Sequence, residues 1–175
     1  MSGNNIKAVN SAIEDIDNED TQKDKYLTFH LAGEDYGIEI RYVIEIIGIQ
    51  KITEVPDMPA FIRGVINLRG KVIPVMDVRA RFHIEDRAYD DRTCIIVVNI
   101  EGTEVGLVVD EVSEVADIPA KNVEPPPRTG KSTGNRCIQG MGKIGTEVKI
   151  LLDVQELLFN DEMRKLAGNR PEDQE

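Results

Sequence analysis

The stretch GVINLRGKVIPVMDVR, residues 64–79, decides the fold class. Two runs rich in Val and Ile flank the pair Arg69-Gly70, and a short Gly-bearing interruption between β-prone runs reads as a hairpin turn. Working outward, the preceding YLTFHLAGEDYGIEI (26–40) reads as a second hairpin, Tyr26 to Leu31 and Tyr36 to Ile40, around a turn at Gly33-Glu34-Asp35. A strand follows over Val43 to Ile52, and Pro56-Asp57-Met58-Pro59 closes the segment.

The second half repeats this order. At an offset of 69, Gly33 falls on Gly102, Gly37 on Gly106, Val43 on Val112 and Glu45 on Glu114. At an offset of 76, Ile62 falls on Ile138, Gly64 on Gly140, Val72 on Val148, Asp77 on Asp153 and Val78 on Val154. The change of offset places seven extra residues in the second connecting loop, which carries Pro119 and Pro125-Pro126-Pro127. This is an internal duplication with about five short strands per repeat, the signature of a sandwich or small barrel. Two such barrels packed face to face share a core that neither can build alone.

Composition agrees. The 175 residues are 41% apolar and 30% charged with no Trp, so Val, Ile and Leu must form the core. A net charge of −11 with no basic cluster opposes binding to nucleic acid or to an anionic membrane surface. Residues 1–24 read as a flexible acidic arm with a weak helical turn around Ala8 to Ile16. They hold no apolar run suited to a signal peptide, and no later run is long enough to insert in a bilayer, so a cytoplasmic location is expected. Cys94 and Cys137 match no metal spacing and read as small buried hydrophobes. The chain closes with a helix over 154–167, opened by Asp153 and Glu156, faced by Leu157, Leu158 and Leu166, and stopped at Gly168 before a tail over 168–175.

Catalytic motifs fail on context. Gly140-Met141-Gly142-Lys143-Ile144-Gly145 has the letters of a dinucleotide loop, but the strand pattern TEVKILL follows it where a helix is needed, so it reads as a hairpin. Gly130-Lys131-Ser132 lacks the upstream glycine of a phosphate loop, because Pro125 stands there. His30 and His83 lie in unlike contexts, and Asp90, Asp91 and Glu85 fit no metal loop. Asp77 and Asp153 each follow an apolar strand and read as caps. No catalytic residue, cofactor or metal is expected; an enzyme or small-ligand binder rests only on the glycine turn and the paired aspartates.

The differences between repeats carry more. Asn67-Leu68-Arg69-Gly70 in the first corresponds to Lys143-Ile144-Gly145-Thr146 in the second, so only the first places an arginine, with its planar fork, at this turn. Glu45 is a candidate mate for Arg69. Pro74 stands where the second copy has Ile150, and a proline that cannot donate to a ladder calls for an edge strand or a bulge.

GVINLRGKVIPVMDVR, with FHLAGEDYGIEIRYVIEI (29–46) and VGLVVDEVSEV (105–115), resembles the CheW family of bacterial chemotaxis coupling proteins, and the likeness spans roughly residues 25 to 165. The resemblance implies two SH3-like five-stranded β-barrels around a shared hydrophobic core, with a first barrel over about 25–85 and a second over about 92–153. It implies a scaffold without enzymatic activity that joins methyl-accepting chemotaxis receptors to the regulatory domain of the histidine kinase CheA in arrays. By position it assigns Glu45, Arg69, Val112 and Val115 to receptor binding and Val43 and Gly64 to kinase binding. A chemosensory-like pathway outside chemotaxis fits the same resemblance.

Overall fold

The computed structural model of the chain describes residues 2–16, 22–127 and 137–158. Its strands are organised by two-residue turns in which both central residues have positive φ: Ala32-Gly33 (53° and 81°), Arg69-Gly70 (53° and 81°) and Glu101-Gly102 (52° and 85°). That geometry matches the right-handed twist of the flanking strands. The first turn lies one residue earlier than the pattern suggests, because Glu34 already pairs with Leu31.

These turns join β1 (Lys25–Leu31) to β2 (Glu34–Glu39), β4 (Ile62–Leu68) to β5 (Lys71–Asp77) and β6 (Cys94–Ile100) to β7 (Thr103–Val109). The remaining strands are β3 (Val43–Gly48), β8 (Glu111–Asp117), β9 (Val123–Glu124), β10 (Ile138–Ile144) and β11 (Glu147–Leu152). They form two sheets, in the orders β8-β1-β2-β11-β10-β9 and β3-β6-β7-β5-β4. This is the all-β, SH3-like pair of barrels expected from the sequence.

The sheets do not divide the chain between residues 85 and 92. The leading hairpin of each repeat joins the strands of the other: β1-β2 sits between β8 and β11, and β6-β7 between β3 and β5. The exchange is reciprocal and keeps the repeat register. Val75 pairs in parallel with Gly106, and their repeat mates Leu151 and Gly37 pair the same way. The ladder shifts between Ile62 and Gly64 and again between Ile138 and Gly140. Asp77 donates its backbone N–H to Phe61 at 2.8 Å and Asp153 donates to Cys137 at 2.7 Å.

The exchange gives central strands two buried faces. In β6, Cys94, Ile96, Val98 and Ile100 enter a core shared with Leu27, Phe29 and Ile38 of the other sheet, while Ile95 and Val97 turn into their own barrel beside Ile66, Ile73, Val75 and Val108. The second barrel interior holds Tyr26, Ala116, Ile118 and Leu151. Each fully buried Ile or Leu contributes roughly 1.5–3 kcal/mol of transfer free energy, so the sheets cannot separate without exposing the shared layer.

Two expectations differ from the structure. Pro74 lies in β5, an interior strand. It is tolerated because β7 begins to pair only at Val75, and because its cross-strand neighbour Val65 spends its own N–H and C=O on Thr53, at 2.9 and 2.8 Å. Pro74 therefore removes no ladder hydrogen bond, and β5 is an edge on that side from Lys71 to Pro74, which is the setting a proline needs, before it becomes interior at Val75. The N-terminal arm is the second case. Ser2–Glu14 forms a helix, α1, whose Val9 is only 3% exposed and whose Ile6 and Ile13, with Ile16 beyond it, pack against the shared core.

The capping aspartates behave as read. Asp77 accepts from the N–H groups of Arg79 (3.0 Å) and Ala80 (3.4 Å) to open the short helix α2 (Val78–Arg81). Asp153 accepts from Glu156 at 3.1 Å to open α3 (Val154–Leu158). Leu166 and Gly168, assigned to that helix and its stop, lie outside the described residues, as do Gly130, Lys131 and Ser132. The glycine run at 140–145 is strand and turn. Both cysteines are free and buried.

Candidate functional site

The Arg69 turn brings the most distinctive geometry together. Asn67 Oδ1 accepts from the Gly70 N–H at 2.9 Å and ties the turn down. Arg69 then adopts φ 53° where its repeat mate is Gly145, φ 59°. A β-carbon in the left-handed region is strained, and Arg69 bears that strain as Ala32 and Glu101 do in the matching turns. What it gains is reach. The guanidinium makes a two-pronged ion pair with Glu45 of β3, Nη1 to Oε1 and Nη2 to Oε2, the latter at 2.7 Å. The Glu45 side chain is 19% exposed and that of Arg69 is 70% exposed, so a recessed carboxylate holds a guanidinium out into solvent. The hydrogen bonds to Glu45 and its charge raise the pKa of Arg69. Beside it lie the Lys71–Glu104 pair, 2.9 Å, and Val72, 67% exposed. Ile44, next to Glu45 in β3, is also exposed.

The other sequence-assigned residues are placed differently. Val43 and Val112 are buried in the shared core, so their side chains are not presented at the surface; Val115 is half-buried. Gly64, in β4, has φ 145°, and a β-carbon there would stand 2.0 Å from the Thr53 carbonyl oxygen. Its requirement is close backbone approach. Glu45 and Val43 share β3, Val112 and Val115 share β8, and these two strands are the ends of their respective sheets. Helix α1 lies against both.

Sequence reading missed a set of ion pairs around α2. Arg79 forms a two-pronged bond to Asp110, 2.7 Å on each prong, and Asp110 also accepts from the Ala32 N–H at 2.9 Å. Burial opposes the Asp110 carboxylate, yet Arg79, the Ala32 N–H and Arg87 outweigh it and hold its pKa below the ordinary value. Asp77 accepts from Arg63 (3.2 Å) and from the Tyr89 hydroxyl (3.0 Å) beside a cavity of about 340 Å³ lined by Arg63, Asp77, Asp86, Arg87, Ala88 and Tyr89. Burial and the neighbouring Asp77 charge push Tyr89 up to about 12. These residues are far apart in sequence, and no spacing announces them. Asp90 is spent on the N–H groups of Arg92 (2.8 Å) and Thr93 (3.2 Å). Among the described residues no cluster of His, Cys, Asp and Glu is arranged to hold a metal, and no helix is long and apolar enough to cross a membrane.

Comparison with known proteins places this geometry. Residues 25–162 match the CheW-like domain. The chain belongs to the CheW-like family. It is 38% identical over 144 residues to the chemotaxis protein CheW of Klebsiella aerogenes, covering 82% of this chain and 87% of that one. It is 31% identical over 146 residues to the chemotaxis protein CheW of Treponema pallidum, covering 81% and 86%. The crystal structure of the scaffolding protein TtCheW from Thermoanaerobacter tengcongensis aligns with a TM-score of 0.71 at 38% identity, covering 79% of this chain and 94% of that one. The CheW-like region thus contains both sheets and the Glu45–Arg69 pair, and α1 lies before it.

Proposed function

We propose that this chain is a chemotaxis scaffold that couples the cytoplasmic tips of chemoreceptors to the histidine kinase CheA. The observation that carries this reading is the Glu45–Arg69 pair: an arginine forced into a left-handed turn, clamped from behind and exposed in front. An exposed pair adds little to stability, whereas an exposed, pre-oriented guanidinium recognises a partner's carboxylate or carbonyl groups at small entropic cost. Arg69 with Glu45 is the receptor contact, and the exposed Ile44 beside it adds apolar surface. Val112 and Val115 belong to the receptor side through β8. Val43 and Gly64 belong to the kinase side, acting through the shape of β3 and β4 because one is buried and the other has no side chain. The scaffold carries out no covalent chemistry and is recruited to receptor arrays from the cytoplasm.

The test is assembly from purified parts. A soluble receptor-tip fragment, the kinase regulatory domain and this chain are mixed and run on a sizing column. Co-elution of all three, with receptor tip and kinase domain separating when this chain is omitted, is expected. Separation of either partner from this chain at concentrations well above ordinary micromolar affinities would refute the coupling role.

A further inference from the structure

Among the described residues, the two outer strands β3 and β8 each leave one row of backbone N–H and C=O groups without a strand partner, and α1 fills that seam with carboxamides. Asn10 reads Ile46 of β3 on both groups: its Nδ2 donates to the Ile46 carbonyl at 2.9 Å, and its Oδ1 accepts from the Ile46 N–H at 2.9 Å. Asn5 Nδ2 donates to the Val112 carbonyl of β8. Between these polar contacts Val9 is buried, with Ile6 and Ile13 beside it. One amphipathic helix thus closes two sheet ends, seated on Ile46, adjacent to Glu45, and on Val112.

We propose that the β3–β8 seam is a helix-docking surface and that α1 is its internal occupant, competing with a helix of the receptor tip. This rests on the receptor-coupling reading above. On that reading the receptor takes β3 beside Glu45 and β8 at Val112, where α1 already sits, so both helices cannot lie there together. Three observations then support the competition. The surface is already shown to accept a helix, with an apolar stripe flanked by groups that satisfy strand-edge amides. The helix has 13 residues, a length at which an isolated helix is marginal in water, so α1 depends on its seat for its structure and is displaceable. Only residues 15–24 separate α1 from β1, so an undocked α1 stays within reach of the seam. A partner that needs the seam free binds with its affinity reduced by the fraction of molecules in which α1 is undocked.

The experiment compares the natural full chain with a full-length Val9→Asp variant, which places a carboxylate under the docked helix. Titration with the receptor-tip fragment is expected to give about ten-fold tighter binding to Val9→Asp, the gain that follows if α1 is docked in nine molecules of ten. Hydrogen exchange on the natural chain supplies a second reading free of any folding defect in the variant. On adding receptor tip, the amides of residues 5–14 are expected to exchange faster while those of β1 and β6 stay protected. Equal or weaker binding by a folded Val9→Asp, or stronger protection of residues 5–14 in the complex, would overturn the competition and leave receptor coupling intact. Binding of the receptor tip to neither form would overturn both. A labelled peptide of residues 1–16 is expected to bind Val9→Asp and not the natural chain, and its failure to bind a folded Val9→Asp would overturn α1 as the seam's occupant.

Discussion

Replacing Gly64 with alanine separates what this residue does for the fold from what it does for a partner. A β-carbon at residue 64 would stand 2.0 Å from the Thr53 carbonyl oxygen and 2.7 Å from its carbonyl carbon, far inside contact distance, and the atoms it meets are backbone. Relief requires the Thr53 segment to move, which breaks the two hydrogen bonds between Thr53 and Val65 (2.8 and 2.9 Å). At about 1 kcal/mol each these account for about 2 kcal/mol, and an alanine held at φ 145° adds roughly 1–3 kcal/mol. The expected loss is about 3–5 kcal/mol, a large part of the roughly 5–15 kcal/mol that stabilises an ordinary domain. The repeat supplies its own control. At Gly140 the same β-carbon meets the Val123 Cγ1 methyl at 2.7 Å and the Glu124 carbonyl oxygen at 3.1 Å, and a side-chain methyl can give way. Gly140→Ala is expected to cost about 1–2 kcal/mol. Urea unfolding of both variants, with the midpoint read at constant slope, measures the difference. Equal losses, or a Gly64→Ala loss below about 1 kcal/mol, would refute the close-approach argument. A kinase-binding defect in Gly64→Ala would then have to come from direct contact.

Three further outcomes follow from other contacts. Arg69→Gly relieves a left-handed residue and loses an exposed pair, so thermal unfolding is expected to be unchanged or slightly raised while receptor binding is lost; retained binding would remove Arg69 from the contact. Asp110→Asn is expected to cost about 2 kcal/mol at pH 7 by leaving the Arg79 fork half-paired. Because the folded pKa of Asp110 lies below the unfolded value, this contribution is present above about pH 4 and is lost as pH falls through the folded pKa; unfolding curves of natural and variant chains should therefore converge on acidification, and a gap that widens toward low pH would contradict it. Burial pushes the Cys94 thiol up to about 12, so it is expected to resist a thiol reagent at pH 8 until the chain unfolds, and rapid labelling of the native chain would place it nearer solvent than described.

Much of the fold was legible because the duplication preserves the residues that backbone geometry demands. Gly33 and Gly102 recur since each is the second residue of a turn with positive φ, and Gly37 and Gly106 recur since each faces a neighbouring parallel strand. The reciprocal exchange of leading hairpins was not legible, because repeat spacing reports similarity between halves and says nothing of which half a hairpin joins. Pro74 was legible only locally: the missing N–H calls for an unpaired side, which β5 has from Lys71 to Pro74, but the sequence does not show that β7 pairs with the rest of the strand from Val75 onward. The Glu45–Arg69 pair was readable from charge type and from the difference between the two turns. Val43 and Val112 were assigned by likeness alone, and alternation could not tell an outward valine from one facing the shared core. Helix α1 was read as part of an arm because residues 1–24 as a whole are polar and their acidic residues cluster at and after its end, from Glu14 to Asp24; the spacing Ile6, Val9, Ile13, Ile16 carried the helical signal, and the two asparagines have meaning only once the strand ends they satisfy are seen.

Co-sedimentation tests the central claim most directly. The natural chain and a folded Arg69→Glu variant are each mixed with CheA and receptor-bearing membranes, and the kinase in the pellet is measured. The natural chain is expected to carry kinase into the pellet and Arg69→Glu to leave it in the supernatant. Equal recruitment by both would show that the Glu45–Arg69 pair is not the receptor contact, and recruitment by neither would show that this CheW-like chain does not couple these partners.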